Sequence, residues 1–229
     1  KWTTAEGEVY SGYREDGYFP DAFINMLALL GWNPGNDQEL FTMQELIELF
    51  SLERVGKSGS KFDPEKTKWF NHQYLLKKSN KEIAQLFEPF VKEKGHSVSM
   101  SLLEHICSLV KERATFVKDL WSHSFYFFEA PETFDAEVIK KRWKPEIPSA
   151  LENIATLLQN ADEFKAPVLE SLVKNYIETN QLNAGAVFNC LRLCLVGGST
   201  GAHIFDICEV IGKNETVRRI KFALQTITV

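Results

Sequence analysis

Ser79-Asn80-Lys81-Glu82-Ile83-Ala84-Gln85-Leu86-Phe87-Glu88-Pro89-Phe90-Val91 reads as a helix from both its start and its spacing. Ser79 followed three residues later by Glu82 has the form of a capping box, in which each side chain accepts the other residue's otherwise unpaired amide. Ile83, Leu86, Phe87, Phe90 and Val91 then recur at the three- and four-residue intervals that gather side chains on one helix face. Pro89 lies inside this stripe and predicts a kink or an early end, because proline has no amide hydrogen and crowds the preceding turn.

The same period extends in both directions. Pro20-Asp21 opens an apolar helix that Gly31 stops. Thr42 and Glu45 form another capping box ahead of Leu46, Leu49 and Phe50, and Asp63-Pro64 supplies an N-cap with proline at the first helical position. Leu102 to Leu120 is amphipathic; Pro148 opens Leu151, Ile154 and Leu158, and Pro167 opens Leu169, Leu172, Val173 and Tyr176. Ile204 to Ile211 and Val217 to Leu224 complete the series, and no alternating strand or hairpin pair stands out. The expected fold is therefore all-α. Joints are expected at Gly56-Lys57-Ser58-Gly59-Ser60, at Lys77-Lys78-Ser79-Asn80 and at Glu129-Ala130-Pro131-Glu132, giving helical units 1–77, 78–131 and 132–229.

Composition narrows the function classes. The chain has 229 residues, 44% hydrophobic and 12% aromatic, enough to offset the entropy of ordering it. No apolar run reaches the roughly 18 residues of a membrane span; Phe23 to Leu30 is interrupted by Asn25. The opening Lys1-Trp2-Thr3-Thr4 has neither an initiator Met nor a signal segment, and it reads as the start of a piece of a longer protein. Cys107, Cys190, Cys194 and Cys208 sit among apolar neighbours and make no disulfide framework, which fits a reducing cytoplasm better than secretion.

The formal net charge of -5 hides a local reversal. Between positions 54 and 81 stand Arg54, Lys57, Lys61, Lys66, Lys68, Lys77, Lys78 and Lys81 against only Asp63 and Glu65, whereas positions 1–53 are strongly acidic. Such a stretch is either a solvated helix face or a site for a polyanion.

No catalytic constellation is assembled. Gly56-Lys57-Ser58 ends like a phosphate loop, but Ser51 stands where the upstream glycine belongs and no strand precedes it; Gly197-Gly198-Ser199-Thr200-Gly201 has no lysine. Both read as turns. Cys190 and Cys194 are four apart, with His203 and Cys208 following, a spacing that could ligate zinc. No CxxC knuckle accompanies them, and free cysteine in an apolar run is a small hydrophobe. His72, His96, His105 and His123 are scattered, and no nucleophile elbow occurs.

Two arginines stand out. Arg192 interrupts the apolar run Ala186 to Val196, so its guanidinium is either paired within the molecule or turned toward a ligand. Arg113, after Lys111-Glu112, reads from spacing alone as an exposed helix residue.

Three blocks carry a family resemblance. Gly17-Tyr18-Phe19-Pro20-Asp21-Ala22-Phe23-Ile24-Asn25-Met26-Leu27-Ala28-Leu29-Leu30-Gly31-Trp32 closely resembles the block after the catalytic core of bacterial-type glutamyl-tRNA synthetases. Phe62-Asp63-Pro64-Glu65-Lys66-Thr67-Lys68-Trp69-Phe70-Asn71 resembles a second hallmark. The third is Leu191-Arg192, Gly197, then Ile211-Gly212-Lys213-Asn214-Glu215 and Arg218-Arg219. Their order and spacing match from about Glu8 to Leu224.

The resemblance implies a class I glutamate–tRNA ligase that charges tRNA(Glu) with glutamate using ATP and Mg2+ in a preceding core. That core's His-Ile-Gly-His-like and Lys-Met-Ser-Lys-Ser-like signatures are absent here, so this chain alone is expected to hold no catalytic residue, no metal and no cofactor. It implies a stem-contact unit followed by two helical anticodon-binding units. Lys66, Lys68, Trp69 and Asn71 are the implied stem and backbone contacts, where phosphate binding sets position rather than sequence. Arg113 falls at a position associated with the third anticodon base and the rejection of glutamine tRNA. Arg192, Gly201, Ala202 and Ile204 match residues near the anticodon loop. Two departures accompany them: Leu193-Cys194-Leu195-Val196 replaces a common Ala-Leu-Thr-Gly ending, and Ala202 stands where proline is frequent. The expected partner is tRNA(Glu), with no DNA and no membrane, for a cytoplasmic monomer. The competing class is a helical protein-interaction scaffold of synthetase ancestry that no longer binds tRNA.

Overall fold

The computed structural model describes residues 2–3, 7, 9–57 and 59–227; Ser58 of the basic loop, Lys1 and Thr4 of the opening, and Glu8 at the edge of the resemblance lie outside them. The architecture is all-α, with one small addition. Strands β1 (Trp2–Thr3) and β2 (Val9–Tyr10) pair antiparallel, Trp2 opposite Tyr10 and Thr3 opposite Val9. Two residues per strand are too few to produce an alternating pattern, which is why the sequence reading found no hairpin.

The chain divides into two compact units, Lys1–Leu120 and Trp121–Val229. The expected joint after residue 77 falls inside the first unit and the one at Pro131 inside the second.

In the first unit, α1 (Tyr13–Asp16) precedes α2 (Pro20–Gly31), which ends at the expected glycine. The α3 helix (Met43–Leu49) starts on the Thr42–Glu45 capping box, and α4 (Pro64–Lys77) starts on Asp63, whose Oδ1 accepts the amides of Glu65 and Lys66. Packing of α2 on α4 buries Ala22, Met26 and Phe70, while Trp32, Phe41 and Leu46 form a second cluster. The α5 helix (Asn80–Glu93) begins with the Ser79–Glu82 capping box and packs against α6 (Met100–Val110).

Two expectations need correction here. Of the kink or early end expected at Pro89, the early end does not occur, because α5 continues to Glu93; Phe87 and Val91, on either side of the proline, are buried, and their packing offsets the lost backbone bond. The amphipathic run Leu102 to Leu120 is not one helix. It stops at Val110, passes through a 3-10 turn at Lys111–Arg113, and resumes as α7 (Asp119–Ser124). Side chains hold the break open: Asp119 Oδ2 accepts the amides of Thr115 and Phe116, and Asn71 and His72 bond the carbonyls of Thr115 and Ala114. Backbone groups satisfied in this way gain nothing by closing into a helix.

The second unit contains α8 (Ala136–Arg142), α9 (Ile147–Gln159), α10 (Ala166–Thr179), α11 (Ala184–Val196), α12 (Ile204–Ile211) and α13 (Lys213–Thr226). The α11 helix is central, touching α8, α9, α10, α12 and α13, which explains why its sequence is apolar almost all round. Gly197 caps it in the left-handed region at φ 81°; a β-carbon there would come within 2.7 Å of the Thr133 carbonyl oxygen. No helix among the described residues is long and apolar enough to cross a membrane.

Candidate nucleic-acid interface

In the first unit, α4 displays Lys66, Lys68 and Trp69 and hides Asn71. Lys66 pairs with Glu39 and lies 5.9 Å from the Phe70 ring centroid; Lys68 pairs with Glu65 at 2.8 Å, which raises the lysine's pKa. Both pairs are solvent-exposed and therefore weak, so incoming phosphates could displace the acids. Trp69 is exposed and meets Phe70 edge-on at 5.0 Å. Asn71, expected at the tRNA stem, is 0% exposed. Its Oδ1 accepts the Phe19 amide at 2.8 Å and its Nδ2 donates to the Thr115 carbonyl at 2.6 Å, leaving no reach toward a ligand.

Further along the basic stretch, Lys77 and Lys78 rest 5.3 and 4.9 Å from the rings of Tyr74 and Phe19. Arg54 donates to the Pro34 carbonyl. A cleft of about 600 Å³ lies beside Lys66, and its charged lining mixes Lys61 and Lys66 with Asp37, Glu39 and Asp63, so it presents no single sign of charge. Arg113 sits in the 3-10 turn after α6 and is exposed, as its spacing predicts.

In the second unit the structure brings four residues together around one loop. Residues 197–203 have no regular structure and connect α11 to α12, with 199–203 as the stretch that leads into α12. Arg192 Nη1 donates to the Ala202 carbonyl at 2.6 Å, and the Ala202 amide donates to the Tyr126 hydroxyl at 2.8 Å. Gly201 passes between the same two side chains: a β-carbon on it would lie 3.1 Å from Arg192 Nη1 and 3.5 Å from the Tyr126 phenol. Ile204, in the first turn of α12, is buried, as is Ala202, which offers its backbone rather than its side chain. Thus Arg192, Gly201 and Ala202 form one constellation, with Tyr126 as a member that the sequence reading missed.

Arg219 was also missed as a distinct feature. It is 3% exposed, and its Nη1 donates to the carbonyls of Tyr126 and Leu195 at 2.7 and 2.8 Å, while Nε donates to Glu215 at 2.8 Å. Arg218, with Arg219, holds the Glu215 carboxyl down to about pKa 2. Burial draws the Arg219 guanidinium down and Glu215 pulls against it; guanidinium starts so far above neutrality that the pair is ionic. The available signal was the Glu215–Arg219 spacing of four, which puts both on one face of α13.

The zinc arrangement is not assembled: among the described residues no three His, Cys, Asp or Glu side chains are placed to hold a metal. Cys190, Cys194 and Cys208 are buried, and burial pushes their thiols up, Cys190 to about 11 and Cys208 to about 12. His203 points elsewhere, 3.8 Å from Glu170 and 3.9 Å from Asp206.

Comparison with known sequences supplies the family. The family described as "Anticodon binding domain" matches residues 82–224, spanning the 3-10 turn with Arg113 and the whole Arg192–Ala202 constellation. The chain belongs to the anticodon-binding domain family. Ahead of that domain, residues 6–69 match the family "tRNA synthetases class I (E and Q), catalytic domain". A glutamate–tRNA ligase of Porphyromonas gingivalis is 49% identical over 96% of this chain, and one of Flavobacterium johnsoniae is 47% identical over 99% of it. These matches cover 44% and 45% of the respective relatives, so the chain spans somewhat under half of their length. Among solved structures, a glutamate tRNA ligase from Elizabethkingia meningosepticum in complex with its amino acid superimposes with a TM-score of 0.94 at 41% identity, over 99% of this chain and 45% of that one. Matches so uniform do not favour a scaffold reading.

Proposed function

We propose that this chain is the tRNA-recognition portion of a glutamate–tRNA ligase, reading the anticodon of tRNA(Glu) and contacting its stem. The observation that carries the reading is the Arg192–Gly201–Ala202 constellation inside a matched anticodon-binding domain. A loop without regular structure, held in one shape beside a guanidinium, suits splayed single-stranded bases, which proteins read by stacking and by bonds to their exposed edges. Arg192, Gly201, Ala202 and Ile204 form the anticodon side of this proposal together with Arg113. Lys66, Lys68 and Trp69 contact the stem backbone, and Asn71 is buried behind them as a fold-stabilising residue that does not touch the tRNA.

Activation of glutamate with ATP and Mg2+ belongs, in this reading, to sequence that the relatives carry beyond the matched region, and this chain alone does not catalyse the reaction. The protein works as a monomer in the cytoplasm, with neither DNA nor membrane as a partner.

The test is a titration of the chain with unmodified glutamate tRNA and with a variant altered only in its anticodon, at two salt concentrations. Tighter binding of the unaltered tRNA, weakening as salt rises, supports the proposal. Equal affinities would refute anticodon reading, and no binding at either salt would refute self-sufficient tRNA recognition.

A further inference from the structure

We infer that Tyr126 and the Arg219–Glu215 pair are positioning residues that set the shape of the loop 199–203, and through it the anticodon selectivity of the second unit. The inference rests on the proposed anticodon reading and adds the residues that act behind it.

The loop's peptide geometry is fixed from outside. At Ala202 the amide goes to the Tyr126 hydroxyl and the carbonyl to Arg192, so two side chains grip both polar groups of one residue. Such a residue has little freedom to rotate its peptide planes, and the neighbouring Gly201 threads a gap that a β-carbon would crowd. Tyr126 is itself immobilised. Its side chain is 1% exposed, and its carbonyl accepts from Arg219.

The same guanidinium takes the Leu195 carbonyl, one of the last-turn acceptors of α11 that have no partner within their own helix. One side chain from α13 therefore ties the residue that anchors the loop to the helix end from which the loop departs. Glu215 orients that side chain through Nε. A purely packing role would be met by an apolar residue of similar volume; a fork of three directed bonds fixes orientation as well.

The decisive variant is Tyr126→Phe, which removes one hydroxyl and keeps the ring. Two readouts are taken on the full chain: hydrogen exchange of the Ala202 amide without tRNA, and the ratio of Kd for anticodon-altered tRNA to Kd for unaltered glutamate tRNA. Tyr126→Phe is expected to speed exchange at Ala202 and to lower the Kd ratio by about tenfold, the scale of one base contact, leaving affinity for the altered tRNA unchanged. Arg219→Lys, which keeps charge but loses the planar fork, should lower the ratio in the same direction. Ile154→Val, in the buried face of α9, is the control for lost stability and should leave the ratio alone.

A Tyr126→Phe protein with faster Ala202 exchange and an intact Kd ratio would overturn the inference, as would unchanged Ala202 protection. An equal fall in the ratio for Ile154→Val would reduce the effect to general stability and overturn it too. A wild-type ratio of one is a different failure, read before any variant is made: it removes the anticodon reading itself and the inference with it.

Discussion

Asn71 donates to the carbonyl of Thr115 from 44 positions away, and its other end accepts the amide of Phe19. One buried amide thus stitches α4 to the segment before α2 and to the break that ends the α6 run. Asn71→Ala should destabilise the first unit by about 2–4 kcal/mol, because it strands a buried donor and a buried acceptor at once. Urea unfolding measures that loss. The folded fraction of the variant should bind tRNA as the wild type does; weaker binding by intact molecules would return Asn71 to the contact surface.

Glu215 makes the second unit sensitive to acid. Its carboxyl titrates near about 2 in the folded chain against 4.5 for an unperturbed glutamate, so between those values the unfolded state binds the proton more readily. Stability from the ion pairs is complete above about pH 4.5 and lost as pH falls toward 2, on the order of 3 kcal/mol in all. The urea midpoint should fall more steeply with acid for wild type than for Glu215→Gln. Parallel curves would show that Glu215 is not the titrating group.

Gly197 occupies the left-handed region, and the space a side chain would need is filled by Thr133 and Pro131. Gly197→Ala should cost about 2 kcal/mol or more from backbone strain and collision together. A thermal melt unchanged from wild type would mean that the 131–133 turn gives way freely.

The two proposed contact classes should separate in binding assays. Lys66→Ala is expected to weaken all tRNAs alike and to reduce the salt slope by about one, as a phosphate contact does. Arg113→Ala should instead cost about 1–3 kcal/mol only against the unaltered anticodon. If both tRNAs lose equally, Arg113 is a positioning contact; if neither changes, it plays no part in recognition.

Local signals in the sequence were legible where a residue acts on its own neighbours. The Thr42–Glu45 and Ser79–Glu82 capping boxes form as spaced, the Asp63 cap holds α4, and Gly31 ends α2. Residues acting across the chain were not legible. Arg192 drew notice because a charge in an apolar run is conspicuous, whereas Arg219 sits in a helix of ordinary amphipathic composition and is the more deeply buried of the two. Tyr126 gave no local sign, since its role depends on a loop 76 positions later. Asn71 misled because its hallmark block is basic and polar around it, and only packing shows which polar residue turns inward.

The Tyr126–Arg219 bond spans 93 positions, and that separation has a consequence during synthesis. At typical elongation rates a ribosome needs roughly 5–20 s to travel from one residue to the other. Through that interval the nascent second unit lacks the guanidinium that satisfies the carbonyls of Tyr126 and Leu195, while the apolar α11 has already been made. The first unit can fold as it emerges; the second must wait for α13, and a truncation before Arg219 would leave an aggregation-prone chain rather than a smaller version of the same unit.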